Sequence, residues 1–403
     1  MPGKLNGAVS VPPSKSYTIR ALICAALAEG ESAISPYYSS RDVDACIRGV
    51  EVLGASCRRR GTGIAVNGHS CRHIYSLDNG RLFGCDESAT ALRFLIPVSL
   101  LSGGGFFRGE RSLMNRPLTP YIELFAGMGI DFRNIGSLIS VRGRLEAGLY
   151  ELSGDISSQF VSGLLLALPL LSGDSEISLT TELSGKNYVE MTMRTMRQFG
   201  VEVEMTGART FFIKGGQQYL PADMVIEGDH SQAAFFLAAN FCGSNIKCLF
   251  LNPESLQSDR VAATILKLMR EEDELRLDID ESPDLLPPLA VAAALRDGKK
   301  TVFLNLARTR EKESDRLMAI ARELKKLGAI LAMGRDHLQI EGISTLTGGR
   351  VSGWGDHRIV MSLAIAATCC QQPLIIEGAD CVNKSYPTFF DDFESLGGQI
   401  SWI

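Results

Sequence analysis

Six segments of this 403-residue chain follow one pattern, and a chain built from one repeated unit has few folds open to it. Pro12–Gly30 reads PPSKSYTIRALICAALAEG, Cys85–Gly104 reads CDESATALRFLIPVSLLSGG, and Gly154–Gly173 reads GDISSQFVSGLLLALPLLSG. Gly228–Gly243 reads GDHSQAAFFLAANFCG, Ser282–Gly298 reads SPDLLPPLAVAAALRDG, and Gly355–Cys370 reads GDHRIVMSLAIAATCC. Each opens on a short polar cluster and continues through about a dozen mostly apolar residues, and most end near a glycine. The pattern predicts a helix with a capping residue, an almost wholly buried body and a C-terminal glycine. The openings begin at 12, 85, 154, 228, 282 and 355, most of them about 70 residues apart.

Between these helices lie alternating runs that read as strands: Gly63–Gly68, Val201–Thr206 and Phe211–Gly216. A second kind of helix, amphipathic at 3.6 spacing, is expected at Pro120–Ile130, Met191–Val201 and Ser314–Ala329. Each unit is therefore expected to hold one buried helix, one surface helix and several strands. Six units suggest two domains of three, with the buried helices inside and the division near Glu227–Gly228.

A helix N-terminus presents unpaired N–H groups and a positive dipole end, so converging starts would favour an anion. A cap alone explains any one start, but several carry more. Lys15, Ser16 and Arg20 stand at the first, Ser157, Ser158 and Gln159 at the third, and Asp356, His357 and Arg358 at the sixth. Charge at the mouth of a buried helix is expensive unless something pairs with it. Three more cationic clusters lie outside these starts: Arg111 to Arg116, with Pro117 at an early helical position; Lys312 to Arg316; and Lys384 to Pro387. Together they suggest a ligand with several negative groups, such as phosphates and carboxylates.

Composition narrows the field. Hydrophobic residues at 45% and charged residues at 22% suit a globular protein and exclude a disordered one. The net charge of −5 lacks the basic surplus of a nucleic-acid binder, so no such partner is expected. The apolar run Leu164–Leu171 is broken by Pro169 and falls far short of the ~20 residues that span a bilayer. No secretory signal is visible at the N-terminus, and the ten cysteines are scattered without a CxxC pair. A cytoplasmic protein with free thiols is expected. There is no P-loop, no GxGxxG after a strand and no HExxH. His69-Ser70-Cys71-Arg72-His73 superficially suggests a metal site but lacks a carboxylate or a second cysteine at workable spacing. Neither a metal nor a cofactor is expected, so catalysis would rest on electrostatics, positioning and proton transfer.

The motifs PPSKSYTIRALICAALA, DISSQF, KESDRL, GDHRIVMSLAIAA and NKSYPTFFDDFESLGG occur in that order. In combination the chain, from Val11 to its C-terminus, resembles the 5-enolpyruvylshikimate-3-phosphate synthase family of enolpyruvyl transferases. The resemblance implies an α/β (α+β) fold of two similar domains, each of three repeated β/α units with buried parallel helices and outer sheets, an inside-out barrel. It implies one domain over 14–228, a second over 1–13 plus 229–403, and an active site in the cleft between them. It implies transfer of the enolpyruvyl group of phosphoenolpyruvate to the 5-hydroxyl of shikimate 3-phosphate, in the shikimate pathway that feeds chorismate and aromatic amino acid biosynthesis. A monomer is expected.

By the same resemblance Lys15, Ser16, Arg20, Ser157, Ser158, Gln159, Tyr188, Asp284 and Lys312 would hold shikimate 3-phosphate. Lys15, Ala89, Arg116, Gln159, Arg316, His357, Arg358 and Lys384 would hold phosphoenolpyruvate. Asp284 matches the family's general base, and Lys15 and Glu313 are both candidates for the proton at C3. Three positions depart from the family pattern. Ala89 stands where a glycine lets the backbone approach phosphoenolpyruvate, and its methyl is expected to crowd the longer inhibitor glyphosate. Gly185 replaces a serine, leaving Ser184 as the adjacent hydroxyl. Arg308 replaces an asparagine near the shikimate ring. The sister family acting on UDP-N-acetylglucosamine shares the chemistry, but it carries Lys-Asn where this chain has Lys15-Ser16. It also usually carries a loop cysteine, and none occurs over Glu110–Arg116. A non-catalytic anion-binding relative is the remaining alternative, and the presence of Lys15, Arg20 and Asp284 speaks against it.

Overall fold

The structure, a computed structural model, describes residues 2–69 and 80–403. Of the apparent metal motif, residues 70–73 lie outside the described residues. Two compact units are present, a contiguous one over Pro13–Ile226 and a split one made of Met1–Pro12 and Glu227–Ile403.

The contiguous unit holds three buried helices, α1 (Lys15–Leu27), α2 (Ala89–Ser99) and α3 (Ser158–Ala167). All three are apolar on nearly every side, which suits a helix enclosed by protein rather than one facing water. Each fully buried Leu or Ile on them stabilises the fold by about 1.5–3 kcal/mol relative to exposure. α2 gives way to a 3-10 turn at Leu100–Ser102 and ends at Gly103, whose φ of 97° a residue with a side chain rarely adopts. At α3, Gly163 has a specific packing role. A Cβ there would sit 2.4 Å from the Arg93 carbonyl oxygen and 2.4 Å from the Tyr121 hydroxyl. The bare glycine thus lets α3 lie against the backbone of α2.

The second repeat shows the unit in full. Leu82–Asp86 runs parallel to Gly104–Gly109, and the hairpin Asp131–Ile135/Leu138–Arg142 adds its second strand antiparallel to Gly104–Gly109. The third repeat has the same order, from Leu149–Leu152 through Ser175–Leu179 to the hairpin of Glu204–Met205 and Thr210–Ile213. The first repeat takes its outer strand from the far end of the unit, where Met224–Val225 pairs in parallel with Gly30–Ser35. Among the described residues every sheet is open and none closes into a barrel.

The split unit holds α4 (His230–Phe241), α5 (Leu286–Ala294) and α6 (His357–Ala367). Every residue of α5 and α6 is buried. Pro287 and Pro288 fall in the first turn of α5, where no intrahelical N–H bond is lost. Asn6–Ser10 pairs in parallel with Asn245–Leu249. The N-terminal residues thus supply the strand that the fourth repeat lacks, which is why the unit is split. The fifth repeat has four strands, but the fourth and sixth have sheets of two. The expectation of several strands in every unit therefore fails for these two, because the hairpin after the surface helix is missing. That loss accounts for the short spacing from 228 to 282.

The surface helices form where expected, at Thr119–Gly127, Lys186–Gln198 and Arg316–Lys326. On the last, Leu317, Ile320 and Leu324 form the buried stripe. The first of these helices corrects a detail. Pro117 precedes the helix, and Pro120 is the proline in its first turn.

Candidate active site

In the contiguous unit the starts of α1, α2 and α3 carry the polar groups. Ser88 and Ser157 cap α2 and α3, accepting from the N–H of Ala91 and Gln159. Lys15, at the first position of α1, ion-pairs with the buried Asp42 at 2.8 Å. Arg20 is 2% exposed and stacks on the Phe94 ring. Its Nε donates to Thr192 Oγ1 at 2.7 Å, Nη1 to the Ser16 carbonyl at 2.8 Å and Nη2 to the Tyr188 carbonyl at 3.0 Å. Burial pulls its pKa down to about 10, so it stays charged at neutral pH. In this arrangement Arg20 fixes the backbone of two other candidate residues, Ser16 and Tyr188.

Gln159 is held at both ends of its amide. Its Nε2 donates to Thr90 Oγ1 at 2.8 Å, and its Oε1 accepts from Arg93 Nη1 at 2.9 Å. Arg93 also donates to Ser157 Oγ at 3.3 Å and to the Pro117 carbonyl at 3.0 Å, beside half-buried Arg116. Sequence reading passed over Arg93 as a site residue. The available signal was a charge in an otherwise apolar helix. Ala89 is 7% exposed in the first turn of α2.

Two departures from the family pattern acquire local reasons. Gly185 opens the surface helix at φ 74°, and a Cβ there would sit 3.0 Å from Ser158 Oγ. A serine at this position would need a left-handed backbone and a shift of Ser158. Ser184 is half-buried, and its N–H donates to the Gly154 carbonyl. Arg308 lies in the other unit, on the 3-10 turn Ala307–Glu311, and donates to the Asp280 carbonyl at 2.9 Å.

In the split unit Arg316 is the centre of an ion cluster. Its side chain is 1% exposed, yet it touches three carboxylates. Nη1 lies 2.5 Å from Asp284, Nη2 lies 2.5 Å from Glu313, and Nε lies 2.8 Å from Asp356. Asp356 is fully buried and also caps α6, accepting from the Arg358 N–H at 2.9 Å. His357, 1% exposed, has Nδ1 3.7 Å from the same carboxylate. Asp284 further meets Arg358 Nη2 at 2.9 Å and Lys312 Nζ at 3.4 Å, while Lys384 Nζ stands 3.8 Å from Glu313. The four cations Arg316, Arg358, Lys312 and Lys384 thus face the three carboxylates Asp284, Glu313 and Asp356. Arg358 is 4% exposed, and its Nε and Nη1 make no hydrogen bond to a described residue. Buried guanidinium donors of this kind are usually satisfied, so an anion would complete them.

The cluster sets the protonation of its members. Burial alone would raise the Asp284 carboxyl, but Arg358, Lys312 and Arg316 outweigh it and hold it well below the usual carboxylate range. Burial, then the nearby Arg316 and Arg308, bring Lys312 down to about 8 despite Asp284. Arg316 is itself raised, because Asp356, Glu313 and Asp284 overcome its burial. Asp259, 1% exposed, accepts from the Ser231 hydroxyl. Burial, with the Asp284 charge second, pushes it up to about 6. Asp356 stood out in the sequence only as part of the charged start of α6, and Asp42 and Asp259 not at all, since a buried aspartate shows its role only once its partners are known.

The expected residues thus fall into two groups. Lys15, Ser16, Arg20, Ala89, Arg116, Ser157, Ser158, Gln159 and Tyr188 belong to the contiguous unit, and Asp284, Lys312, Glu313, Arg316, His357, Arg358 and Lys384 to the split unit. Among the described residues no three His, Cys, Asp or Glu side chains are grouped to hold a metal ion, and no helix is long and apolar enough to cross a membrane.

Comparison with known proteins places this arrangement. The family model "EPSP synthase (3-phosphoshikimate 1-carboxyvinyltransferase)" matches residues 1–393. A 3-phosphoshikimate 1-carboxyvinyltransferase of Clostridium kluyveri is 43% identical over 417 residues, covering 99% of this chain and 97% of that one. One from Clostridium perfringens is 42% identical over 418 residues, covering 98% and 97%. A solved structure of EPSP synthase from Acinetobacter baumannii shares the fold, with a TM-score of 0.81 at 24% identity, covering 100% of this chain and 98% of that one. With the repeats and these relatives in agreement, the chain belongs to the EPSP synthase (3-phosphoshikimate 1-carboxyvinyltransferase) family.

Proposed function

We propose that this chain transfers the enolpyruvyl group of phosphoenolpyruvate to the 5-hydroxyl of shikimate 3-phosphate, acting as a cytoplasmic monomer. The observation that carries this reading is the cluster around Asp284, where Arg316, Arg358 and Lys312 surround the carboxylate, Lys384 stands by the neighbouring Glu313, and Arg358 retains unused donors. Such a site suits a substrate that brings both phosphate and carboxylate groups.

In the addition step, Asp284 takes the proton of the 5-hydroxyl as its oxygen attacks C2 of the enol, and C3 gains a proton. In the elimination step, phosphate leaves C2 while C3 gives up a proton. Lys15 and Glu313 both remain candidates for handling the C3 proton. Lys15 ion-pairs with Asp42, and Glu313 with Arg316. Lys15, Ser16, Arg20, Ser157, Ser158, Gln159, Tyr188, Asp284 and Lys312 hold shikimate 3-phosphate. Lys15, Ala89, Arg116, Gln159, Arg316, His357, Arg358 and Lys384 hold phosphoenolpyruvate. Arg20 contributes partly by fixing the carbonyls of Ser16 and Tyr188.

Phosphate release from phosphoenolpyruvate tests the assignment directly. Release is expected with shikimate 3-phosphate and not with UDP-N-acetylglucosamine, and release with only the nucleotide sugar would overturn the reading. A second test concerns Ala89. One methyl in a tight pocket discriminates by about 10-fold to 200-fold. Ala89→Gly should therefore lower the half-inhibitory glyphosate concentration by about tenfold or more. Full sensitivity of the native enzyme, unchanged in the variant, would sink the idea.

A further inference from the structure

We propose that Cys242 and Cys369 form an oxidisable dithiol in the split unit, in which Cys369 is the sulfur that first attacks a hydroperoxide. Cys242 caps the C-terminus of α4, and Cys369 lies two residues beyond the end of α6. The pair sits at the opposite end of α6 from His357 and Arg358, roughly 16 Å away along an 11-residue helix. It is separate from the candidate active site.

Four groups bear on the Cys369 sulfur. Lys4 Nζ donates to it at 3.2 Å and to the Cys242 carbonyl at 2.6 Å, and the Cys369 thiol itself donates to that carbonyl at 3.7 Å. Thr368 Oγ1 lies 3.4 Å away. The Cys242 thiol hydrogen-bonds to it as well. Arg270, whose guanidinium donates to the Asn240 carbonyl at 2.8 Å, is the second cation facing the pair. These contacts sort the two sulfurs. The bond from Cys242, then those from Thr368 and Lys4, pull the Cys369 thiol down against its burial. The same shared bond, with burial, pushes Cys242 up. On ionisation the charge is therefore favoured on Cys369, beside Lys4, while Cys242 keeps its proton. Burial instead pushes up the thiols of Cys24, Cys46, Cys57, Cys85, Cys248 and Cys370. Both residues of the pair are partly exposed, unlike the buried Cys24, Cys46, Cys85 and Cys370.

The chemistry balances with one hydroperoxide. The Cys369 thiolate attacks the terminal peroxide oxygen, the O–O bond breaks, and the leaving hydroxide or alkoxide takes a proton from Lys4 or water. Cys369 becomes a sulfenic acid. Cys242 sulfur then attacks the Cys369 sulfur, the S–O bond breaks, and the Cys242 proton leaves with the hydroxide as water. Two thiols and one peroxide give one disulfide and two molecules of water or alcohol. In a reducing compartment the bond would be transient, reopened by a small dithiol.

The test uses the full chain. Iodoacetamide at pH 6.5, followed by peptide mapping, should label Cys369 about tenfold faster than Cys57 or Cys248, and Lys4→Met should remove most of that advantage. One equivalent of hydrogen peroxide should give a Cys242–Cys369 disulfide peptide, and in Cys242→Ser a dimedone adduct at Cys369 instead. The disulfide should raise the melting temperature by several degrees, reversibly with dithiothreitol. Labelling of Cys369 no faster than of Cys57 would overturn the proposal. So would peroxide consumption by the native chain without the 242–369 disulfide.

Discussion

Replacing Arg316 with methionine should both unfold the split unit at lower temperature and abolish turnover. Breaking a buried ion pair by removing one partner costs about 3–5 kcal/mol, because the other charge is left buried. Here three carboxylates lose a shared partner at once. Asp356 suffers most, since it is fully buried and keeps only its contacts to His357, Ser314 and the α6 backbone. The pH dependence carries the sharper signature. In the native protein Asp284 and Asp356 are held below their ordinary values. The stability they contribute is therefore present above the unfolded carboxylate pKa of about 3.9 and is lost as pH falls through their lower folded values. Without Arg316, burial should instead raise Asp356. A raised carboxyl contributes stability below its unfolded pKa and loses it as pH rises through the folded value. The variant should then gain more thermal stability on going from pH 7.5 to pH 5 than the native chain, in which Asp259, raised to about 6, already favours the lower pH. Melting curves at both pH values decide the matter, and parallel behaviour of the two proteins would count against the ion cluster as drawn.

The second large effect is expected at Asp284. Asp284→Asn should lower kcat by about 10²-fold to 10⁴-fold, the range for loss of a general base. The free site presents a conflict, because a carboxylate held well below its usual range is a weak base. Its cause is the charge of Arg358, Lys312 and Arg316. Substrate phosphate and carboxylate groups would offset part of that charge, so the Asp284 pKa should climb once both substrates are bound. The profile of kcat/KM reports the free enzyme and that of kcat the loaded one. The rising limb of kcat should therefore lie at higher pH than that of kcat/KM. Coincident limbs, or an asparagine variant retaining a tenth of native kcat, would remove Asp284 from the role of base.

Much of the fold was legible in the chain itself. The six apolar helices were readable because a helix enclosed on all sides needs no polar stripe, and the capping residues Ser88, Ser157, Asp229 and Asp356 marked their starts. The strands were less legible. Val201–Thr206 alternates well, yet only Glu204–Met205 forms strand. The missing hairpin of the fourth repeat shows only as a shorter spacing, which is also what a deleted loop would give. Strand pairing between Asn6–Ser10 and Asn245–Leu249 joins residues far apart, and local propensity contains nothing about such a partner.

What the sequence by itself determined was the repeat, the buried character of its helices and the inventory of charges at their starts. Local periodicity and capping are properties of neighbouring residues, so a linear reading recovers them. Only the tertiary structure decided how those charges are used. Arg20 is spent on Ser16, Tyr188 and Thr192, Arg93 joins the site by holding Gln159, and Asp356 serves as both cap and counter-charge to Arg316. Such roles depend on partners up to 172 positions away. The energy of a buried charge is set by whichever groups the fold brings within hydrogen-bond distance, not by its neighbours in the chain.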